Sequence, residues 1–315
     1  MRFSVVVPSY NASQTIEATV GSVLTQEFDD FEVVISDDGS TDDTLLLART
    51  LAARDSRVRV VTDENAGCAV ARNRGFASAR GEFCVMLDSD DLLEPTYLSA
   101  MSALIDAHPG YDIYSCNGTR LMANGRSEPF LSGPAYARET SWTLDDIMVV
   151  NRIYGTAVVA RGMWERVGGF TAGLRFAEDY DFWLRSLARG ARHIYTPQRL
   201  AIYLERTGGK SKNRIPHAQA QIGIFSRLAQ IPELTDAQRL VCARKIGLLE
   251  KRIERVELET RLQAGEYSGA RRAYLSVRPA YNSQAMYAAG LVLMLLSPKL
   301  YASIFSARDA RRIRS

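Results

Sequence analysis

The sequence predicts an α/β protein with a mainly parallel sheet flanked by helices, followed by an α-helical C-terminal extension. In the first half of the chain, short apolar runs alternate with segments of helical pattern, which is typical of parallel strands joined by crossover helices. From Thr235 to about Val277 the chain is charged and helical in pattern instead. The two patterns together predict a sheet domain followed by helices.

Runs that are apolar and rich in β-branched residues are predicted to be strands, because strands covered on both faces read as continuous apolar stretches. They are residues 3–7, 31–36, 58–62 and 82–87. The helices between them are predicted to begin at Ser13 or Thr15, at Ser40 or Thr41, and at Gly67.

The pattern after residue 95 is mixed. It predicts a helix to about residue 108, a strand at 111–116, a hairpin turn at Asn124-Gly125, a strand at 155–160, and helices at 161–167 and 178–188. Gly168 and Gly190 follow the last two helices, where glycine commonly ends a helix. We place a domain boundary near residue 215.

The C-terminal part divides into a helical segment and a tail. Residues 216–280 are predicted to form antiparallel helices with a turn at Gly265, and their simplest interpretation is a small helical appendage. In the tail, residues 281–315, the apolar run 285–296 is shorter than the roughly 20 residues of a bilayer span. The basic residues that follow it are Arg308, Arg311, Arg312 and Arg314. This pattern is typical of a helix that lies on an anionic membrane surface.

The composition excludes several classes of protein. A formal net charge of +3 is too small to indicate nucleic-acid binding. The four cysteines are widely separated and form no CxxC pair, so neither a zinc site nor a disulfide framework is predicted. The chain leads directly into its first strand without a signal peptide, and we therefore expect a cytoplasmic protein.

Polar clusters follow each of the first strands, at the edge of an open sheet where ligands bind. The fourth cluster holds Asp88, Asp90 and Asp91 without a Cys or His nearby, which favours a hard cation such as Mg²⁺ or Mn²⁺. The alternative is that Asp90 or Asp91 merely caps the helix that begins near Pro95.

Two further stretches also allow two interpretations. The stretch "SDDGSTDDT", residues 36–44, has two interpretations. Its acids either form an ordinary turn and helix start, or one of their carboxylates accepts a hydrogen bond from a nucleobase. In "GCAVARNRG", residues 67–75, Arg72 and Arg74 lie either on a solvated helix face or beside a diphosphate at the helix start.

The ordered motifs "VVVPSYN", "VVISDDGSTDDT", "NAGCAVARNRG", "GEFCVMLDSDD", "RVGGF" and "EDYDFWLR" make the chain resemble the family 2 glycosyltransferases of GT-A (Rossmann-like) fold over roughly residues 1–210. The resemblance implies a catalytic domain at residues 1–215. It also implies that a nucleotide-sugar donor is contacted by a set of side chains in the first loops. These are Pro8, Tyr10, Asp38, Arg72, Asn73 and Asp88.

Further roles follow from the same resemblance. Asp38 is the expected base reader, Asp88 the ribose contact and Asp90 the ligand of Mn²⁺ or Mg²⁺. Family members of this kind invert the sugar, which implies Asp179 as general base and Glu178 as the residue that orients the acceptor. The alternative for both acids is a helix with acids in its first turn. Arg206 stands where relatives often have a metal-binding His, and it would contact the diphosphate instead.

The implied activity is metal-dependent, inverting hexosyl transfer from a nucleoside-diphosphate sugar, most commonly a uridine diphosphate sugar in this family. The implied acceptor is a hydroxyl of a polysaccharide or lipid-linked oligosaccharide at the inner face of the cell membrane. A catalytically inactive nucleotide-binding scaffold is the alternative, motivated by Arg206. A sugar-1-phosphate nucleotidyltransferase is disfavoured, because "PSYNASQT" stands where a glycine-rich phosphate loop would follow the first strand.

Overall fold

The computed structural model describes residues 1–205, 213–276, 284–299 and 301. The chain divides into two compact units, Met1–Gly209 and Lys210–Ser315, which are described separately.

The first unit is built on one sheet. Its strands in chain order are β1 Phe3–Ser9, β2 Phe31–Asp37, β3 Val58–Thr62, β4 Phe83–Met86, β5 Leu92–Leu93, β6 Ile113–Leu121, β7 Ser127–Pro129, β8 Ala157–Ala160 and β9 His193–Leu204. Across the described residues, the spatial order is β3-β2-β1-β4-β8-β6-β9-β5, and β7 pairs with β6. The predicted α/β class is confirmed.

The half of the sheet formed by β1 to β4 is parallel, as predicted. Every residue of β1 and β2 is buried, which explains why both strands are mostly apolar, with Ser4 and Glu32 among the buried polar exceptions. The two strands end in register, since Ser9 lies opposite Asp37. Their following loops therefore leave the same edge of the sheet at the same level.

The other half of the sheet is mixed. β8 runs antiparallel to β4 and β6, while β9 is parallel to β6 and antiparallel to β5. The predicted hairpin is present, because β6 and β7 pair antiparallel around the turn that contains Asn124-Gly125.

The helices of the first unit are α1 Ile16–Leu24, α2 Thr44–Arg54, α3 Cys68–Ser78, α4 Tyr97–Ala107, α5 Leu144–Val149, α6 Arg161–Val167 and α7 Glu178–Ala188. The predicted start of the second helix at Ser40 or Thr41 is wrong, because α2 begins at Thr44 after Asp43. Ser40 and Thr41 are bonded to Asn11 across the sheet edge instead.

A buried polar network stabilises the parallel half of the sheet. The carboxylate of Glu32 on β2 is only 2% exposed and accepts hydrogen bonds from Ser4 Oγ (2.7 Å), Arg59 Nη1 (2.9 Å) and the Arg80 backbone N–H (2.7 Å). Burial opposes its ionisation, but the bonds from Arg59, Ser4 and Arg80 outweigh burial and lower its pKa.

The second unit contains α8 Arg214–Leu228, α9 Asp236–Gln263, α10 Ala270–Ser276 and α11 Gln284–Leu296. A capping box of Thr235 and Gln238 begins α9, and Gly265, with φ of +85°, follows its end. Tyr274 and Met294 are buried in the small core that α9, α10 and α11 share. Among the described residues, no helix is both long and apolar enough to cross a membrane.

The Glu32 network yields a prediction about stability. Glu32→Gln keeps the shape of the side chain but removes the ion pair, so we expect a loss of about 2 kcal/mol in the free energy of unfolding at pH 7. Because the folded-state pKa is lowered, this contribution is present above the ordinary value of 4.5 and is lost as the pH falls through the folded-state pKa. Urea denaturation at pH 7 and at a pH below the folded-state pKa measures the difference.

Glu128→Gln is the matched control, because its pair with Arg120 lies at the surface. It should cost less than about 1 kcal/mol. Equal effects of the two substitutions would contradict the importance of the buried network.

Candidate active site

The loops that follow β1 and β2 are joined into one surface. Asn11 has φ of +50° and its backbone N–H donates to Ser40 Oγ (3.1 Å). Its side-chain oxygen accepts from the Thr41 backbone N–H (2.8 Å). Asn tolerates this left-handed conformation better than most residues.

The predicted nucleoside contacts lie at this edge but differ in exposure. Pro8 is buried within β1, and Tyr10 is 49% exposed at the rim. Asp38 is only 2% exposed, and its carboxylate oxygens accept the backbone N–H groups of Ala66 (3.1 Å) and Gly67 (2.8 Å). Asp38 therefore fixes the loop that leads into α3, and a nucleobase would have to share its oxygens.

The neighbouring Asp37 is fully buried. Its Oδ2 accepts from Thr62 Oγ1 (2.9 Å) and the Ser40 N–H (3.3 Å), whereas Oδ1 has no hydrogen-bond partner among the described residues. A buried oxygen without a hydrogen-bond partner costs free energy of desolvation.

The acidic loop, residues 88–91, does not cap a helix. The helix after it, α4, begins at Tyr97 with Thr96 as N-cap, and β5 lies between the loop and that helix. The capping interpretation of Asp90 and Asp91 is therefore wrong. Thr19 Oγ1 of α1 donates to the Ser89 carbonyl (3.0 Å) and attaches the loop to the first unit's core.

Arg72 joins the acidic loop to Glu178, the first residue of α7. Its guanidinium donates through Nη2 to Asp88 Oδ1 (2.6 Å) and through Nη1 to Glu178 Oε1 (2.8 Å). The residue is only 3% exposed. Burial works against its charge, but Cys68, Asp88 and Glu178 outweigh burial and raise its pKa. Arg72 therefore forms a buried bridge and does not lie on a solvated helix face, while its contact with a diphosphate stays a prediction.

The acid pair, Glu178 and Asp179, opens α7 directly after Ala177, which has φ of +57°. Burial, together with the charge of Glu178, raises the pKa of Asp179 to about 6, although Arg72 acts in the opposite direction. A carboxyl group in this range exchanges its proton near neutral pH, as an effective general base does.

Asn73, predicted as a nucleotide contact, faces the loop between α6 and α7. Its Nδ2 donates to the Phe170 carbonyl (2.8 Å), and its Oδ1 accepts from the Phe170 N–H (2.8 Å) and from Trp164 Nε1 (3.3 Å). The amide is thus paired with the protein at both ends. The two glycines of "RVGGF" indicate a tight turn, but they do not indicate which side chain bonds to that turn.

Tyr154 and Gly155, which the sequence does not indicate as site residues, lie beside the acid pair and the acidic loop. The space that a Cβ on Gly155 would occupy is 3.7 Å from Asp88 Oδ2. Burial raises the pKa of Tyr154 to about 12, and the charge of Asp179 contributes to that rise. The short segment before β8 offered only a weak signal, a glycine at the start of a strand.

A divalent cation fits this edge only if a substrate completes its coordination. Among the residues that the structure describes, no group of three or more His, Cys, Asp or Glu side chains is placed to hold a metal ion. Asp88 and Asp90 are partly exposed and offer hard oxygen ligands. This suits Mg²⁺ or Mn²⁺ held by one or two carboxylates, waters and phosphate oxygens. Arg206 lies outside the described residues.

The mainly parallel sheet flanked by helices places the chain in the GT-A class of fold. The crystal structure of TarS 1-349 from S. aureus in complex with UDP-GlcNAc matches with a TM-score of 0.65 at 20% identity, covering 98% of this chain and 92% of that one. The mannosyltransferase PcManGT from Pyrobaculum calidifontis, in complex with GDP-Man and Mn²⁺, matches with a TM-score of 0.60 at 21% identity, covering 99% and 87%. These likenesses confirm the predicted fold.

The chain belongs to glycosyl transferase family 2, whose family model matches residues 4–177. It is 32% identical to the succinoglycan biosynthesis protein ExoO of Rhizobium meliloti, over 97% of this chain and 90% of that protein. Other relatives are longer: the match spans 20% of protein y4gI of Sinorhizobium fredii and 26% of the chondroitin synthase of Escherichia coli. The chain is a glycosyltransferase, as the motifs predicted.

Proposed function

We propose that the chain transfers a sugar from a nucleoside-diphosphate sugar to a hydroxyl of a polysaccharide or lipid-linked oligosaccharide, with inversion and with a divalent cation. The observation that carries the proposal is the position of Arg72 between Asp88 and Glu178. This bridge brings the acidic loop, which would bind the donor, next to the acid pair, which would act on the acceptor. A displacement reaction needs both groups at one place.

On the donor side, the chain's own residues would bind and orient the nucleotide. Asp38 is the proposed base reader, while Pro8 and Tyr10 line the nucleoside pocket at the joined loops. Asp88 contacts the ribose, and Arg72 holds Asp88 and lends positive charge near the diphosphate. Arg206 is proposed as a further diphosphate contact.

Asp90 would hold the cation, with Asp88 beside it. When bound, Mg²⁺ or Mn²⁺ supplies positive charge that stabilises the negative charge of the leaving diphosphate. Arg72 contributes a positive charge as well, since it contacts Asp88 in the acidic loop. The protein therefore supplies part of the neutralisation itself, and the cation supplies the rest.

On the acceptor side, Asp179 would accept the proton of the attacking hydroxyl, and Glu178 would orient that hydroxyl. Asp179 is suited to this because its raised pKa of about 6 makes its carboxylate more basic than an ordinary aspartate. Glu178 stays in place through its bond to Arg72.

The known proteins with similar folds or sequences support the substrate class. The solved TarS complex holds UDP-GlcNAc, and that of PcManGT holds GDP-Man and Mn²⁺. ExoO carries the name of a succinoglycan biosynthesis protein. We propose a nucleotide-sugar donor for this chain, a uridine diphosphate sugar first, and a bacterial-type polysaccharide or its lipid-linked precursor as acceptor.

We also propose that the second unit contacts the membrane that carries such acceptors. The outward residues of α11 follow helical spacing and are apolar, namely Ala288, Val292, Leu295 and Leu296. The exposed Lys299 lies three residues after the helix ends. The helix is too short to span a bilayer, and the basic residues that follow it in sequence, up to Arg314, lie outside the described residues.

The alternative function is a nucleotide-binding scaffold without turnover. Arg206 in place of a metal-binding His is the observation that favours it. It predicts nucleotide binding that neither transfers nor hydrolyses the sugar.

The first prediction concerns the base. Asp179→Asn should lower transfer by about 10²-fold or more, while nucleotide binding persists. In the unsubstituted protein, activity should rise with pH through about 6, because the base acts only when ionised. The groups that set this value are Glu178 and Asp88, which raise it, and Arg72, which lowers it; Tyr154 lies nearby. A pH–rate profile measures it.

The same variant should unfold at a higher temperature at pH 8. A carboxyl group whose pKa is raised in the folded state favours folding only while it is protonated, so ionised Asp179 destabilises the protein above about pH 6. Glu165→Gln, an exposed substitution on α6, is the control for both measurements. Full activity of Asp179→Asn would exclude this residue as the base.

The second prediction concerns the donor and the cation. Calorimetric titration with uridine, guanosine and thymidine diphosphates, each with and without Mn²⁺, should show one nucleotide that binds more tightly with the metal. Asp90→Asn should reduce the effect of Mn²⁺ by at least about tenfold, because a cation ligand is lost. Binding without turnover of any sugar nucleotide would favour the scaffold, and no binding at all would contradict both functions.

The third prediction concerns the membrane. The chain should float with vesicles that contain phosphatidylglycerol, and Leu295→Glu combined with Leu296→Glu should lower the bound fraction by about tenfold or more, since two apolar contacts are lost. Leu240→Glu is the control, because Leu240 on α9 is 51% exposed, close to the 53% of Leu295. Equal flotation of all variants would rule out α11 as the contact.

A further inference from the structure

The loop of residues 167–171, here called the GGF loop, joins α6 to the segment before α7 and is bonded from two sides. On the α3 side, Asn73 bonds both backbone groups of Phe170. This contact demands a very close approach. A Cβ on Gly169 would lie 2.5 Å from Asn73 Oδ1, and Gly169 has φ of +71°, so only glycine fits there.

On the α7 side, Arg185 binds the same loop. Its Nη1 donates to the Val167 carbonyl (3.2 Å) and its Nη2 to the Gly169 carbonyl (2.6 Å). Its Nε donates to Asp181 Oδ2 (2.7 Å), which also accepts from Thr171 Oγ1 (2.7 Å). Asp181 is only 1% exposed, so this cluster is fixed within the protein.

The loop also reaches the centre of the site. The ring of Phe170 lies with its centroid 5.7 Å from Cζ of Arg72 and 4.4 Å from the ring of Phe182 on α7. The guanidinium that bridges the acidic loop and Glu178 therefore rests beside a ring whose backbone Asn73 holds. A movement of the loop would displace Arg72 and α7 together.

We propose that Asn73 and Arg185 are positioning residues, which act on the reaction through the GGF loop. Clamped from α3 and from α7, the loop sets the distance between the acidic loop and the acid pair. This inference rests on the proposed function, because that distance matters only if the donor binds at the acidic loop and the base lies in the acid pair. In this proposal both side chains act through their bonds to the loop, and Asn73 is a positioning residue instead of the nucleotide contact that the resemblance implies.

The distance matters because transfer requires the attacking hydroxyl in line with the breaking bond. A misplacement of about 1 Å can cost on the order of 10²-fold in rate, even when binding is unchanged. A clamp at the two sides of one loop is therefore expected to affect the rate of transfer more than the affinity for the donor.

Near-isosteric substitutions test the proposal with little change in packing. Asn73→Asp keeps the acceptor oxygen but turns a carboxylate oxygen toward the Phe170 carbonyl. Arg185→Lys cannot reach both loop carbonyls at once. Thr171→Val removes the hydroxyl bonded to Asp181, and Thr171→Ser restores it. Arg166→Gln, whose pair with Asp112 lies at the surface of α6, is the control.

Transfer kinetics and nucleotide titration are measured on each variant, normalised to the folded fraction from circular dichroism. The proposal expects kcat to fall about tenfold or more in Asn73→Asp, in Arg185→Lys and in Thr171→Val, with the nucleotide Kd within about threefold, and recovery in Thr171→Ser. A kcat that stays unchanged per folded molecule, or a fall in Thr171→Ser equal to that in Thr171→Val, would overturn it. If the unsubstituted protein transfers no sugar, the proposed function fails instead.

Discussion

The arrangement of the first unit depends on one buried cation. The guanidinium of Arg72 is almost inaccessible to solvent and lies between two carboxylates, one in the loop after β4 and one at the start of α7. A buried charge is tolerated only when its partners are held in place, because removal of one partner leaves an uncompensated charge. The loop after β4 and the start of α7 are therefore constrained to the same point, which is what the proposed transfer reaction needs.

The parallel half of the sheet was predictable because its signal is local. A mostly apolar and β-branched run such as residues 31–36 has one reasonable interpretation when helical patterns flank it. The start of α2 was not predictable, because Ser40 and Thr41 have the composition of a helix cap but bond to Asn11 on another loop. A contact between segments distant in sequence overrides the local propensity there.

The site was predictable in outline and not in its pairings. The order of the motifs indicates Asp88, Arg72 and the acid pair as candidate site residues, because the expected chemistry needs charged side chains there. It did not reveal that the amide of Asn73 bonds to the backbone of Phe170, nor that the carboxylate of Asp38 accepts two backbone N–H groups. Hydrogen-bond partners depend on side-chain direction, which spacing along the chain does not encode. Tyr154 is not predictable for the same reason, because only its position near Asp179 connects it with the candidate site.

The flush ends of β1 and β2 limit how the sequence can change length. Because side chains alternate between the faces of a strand, an inserted or deleted residue in either strand would turn the residues beyond it to the opposite face, Asp37 among them. The turn between β6 and β7 carries no such restriction, since its tip around Asn124 is exposed and shapes no neighbouring strand end. Length variation among relatives, and any affinity tag placed inside the chain, should therefore be accommodated at that turn.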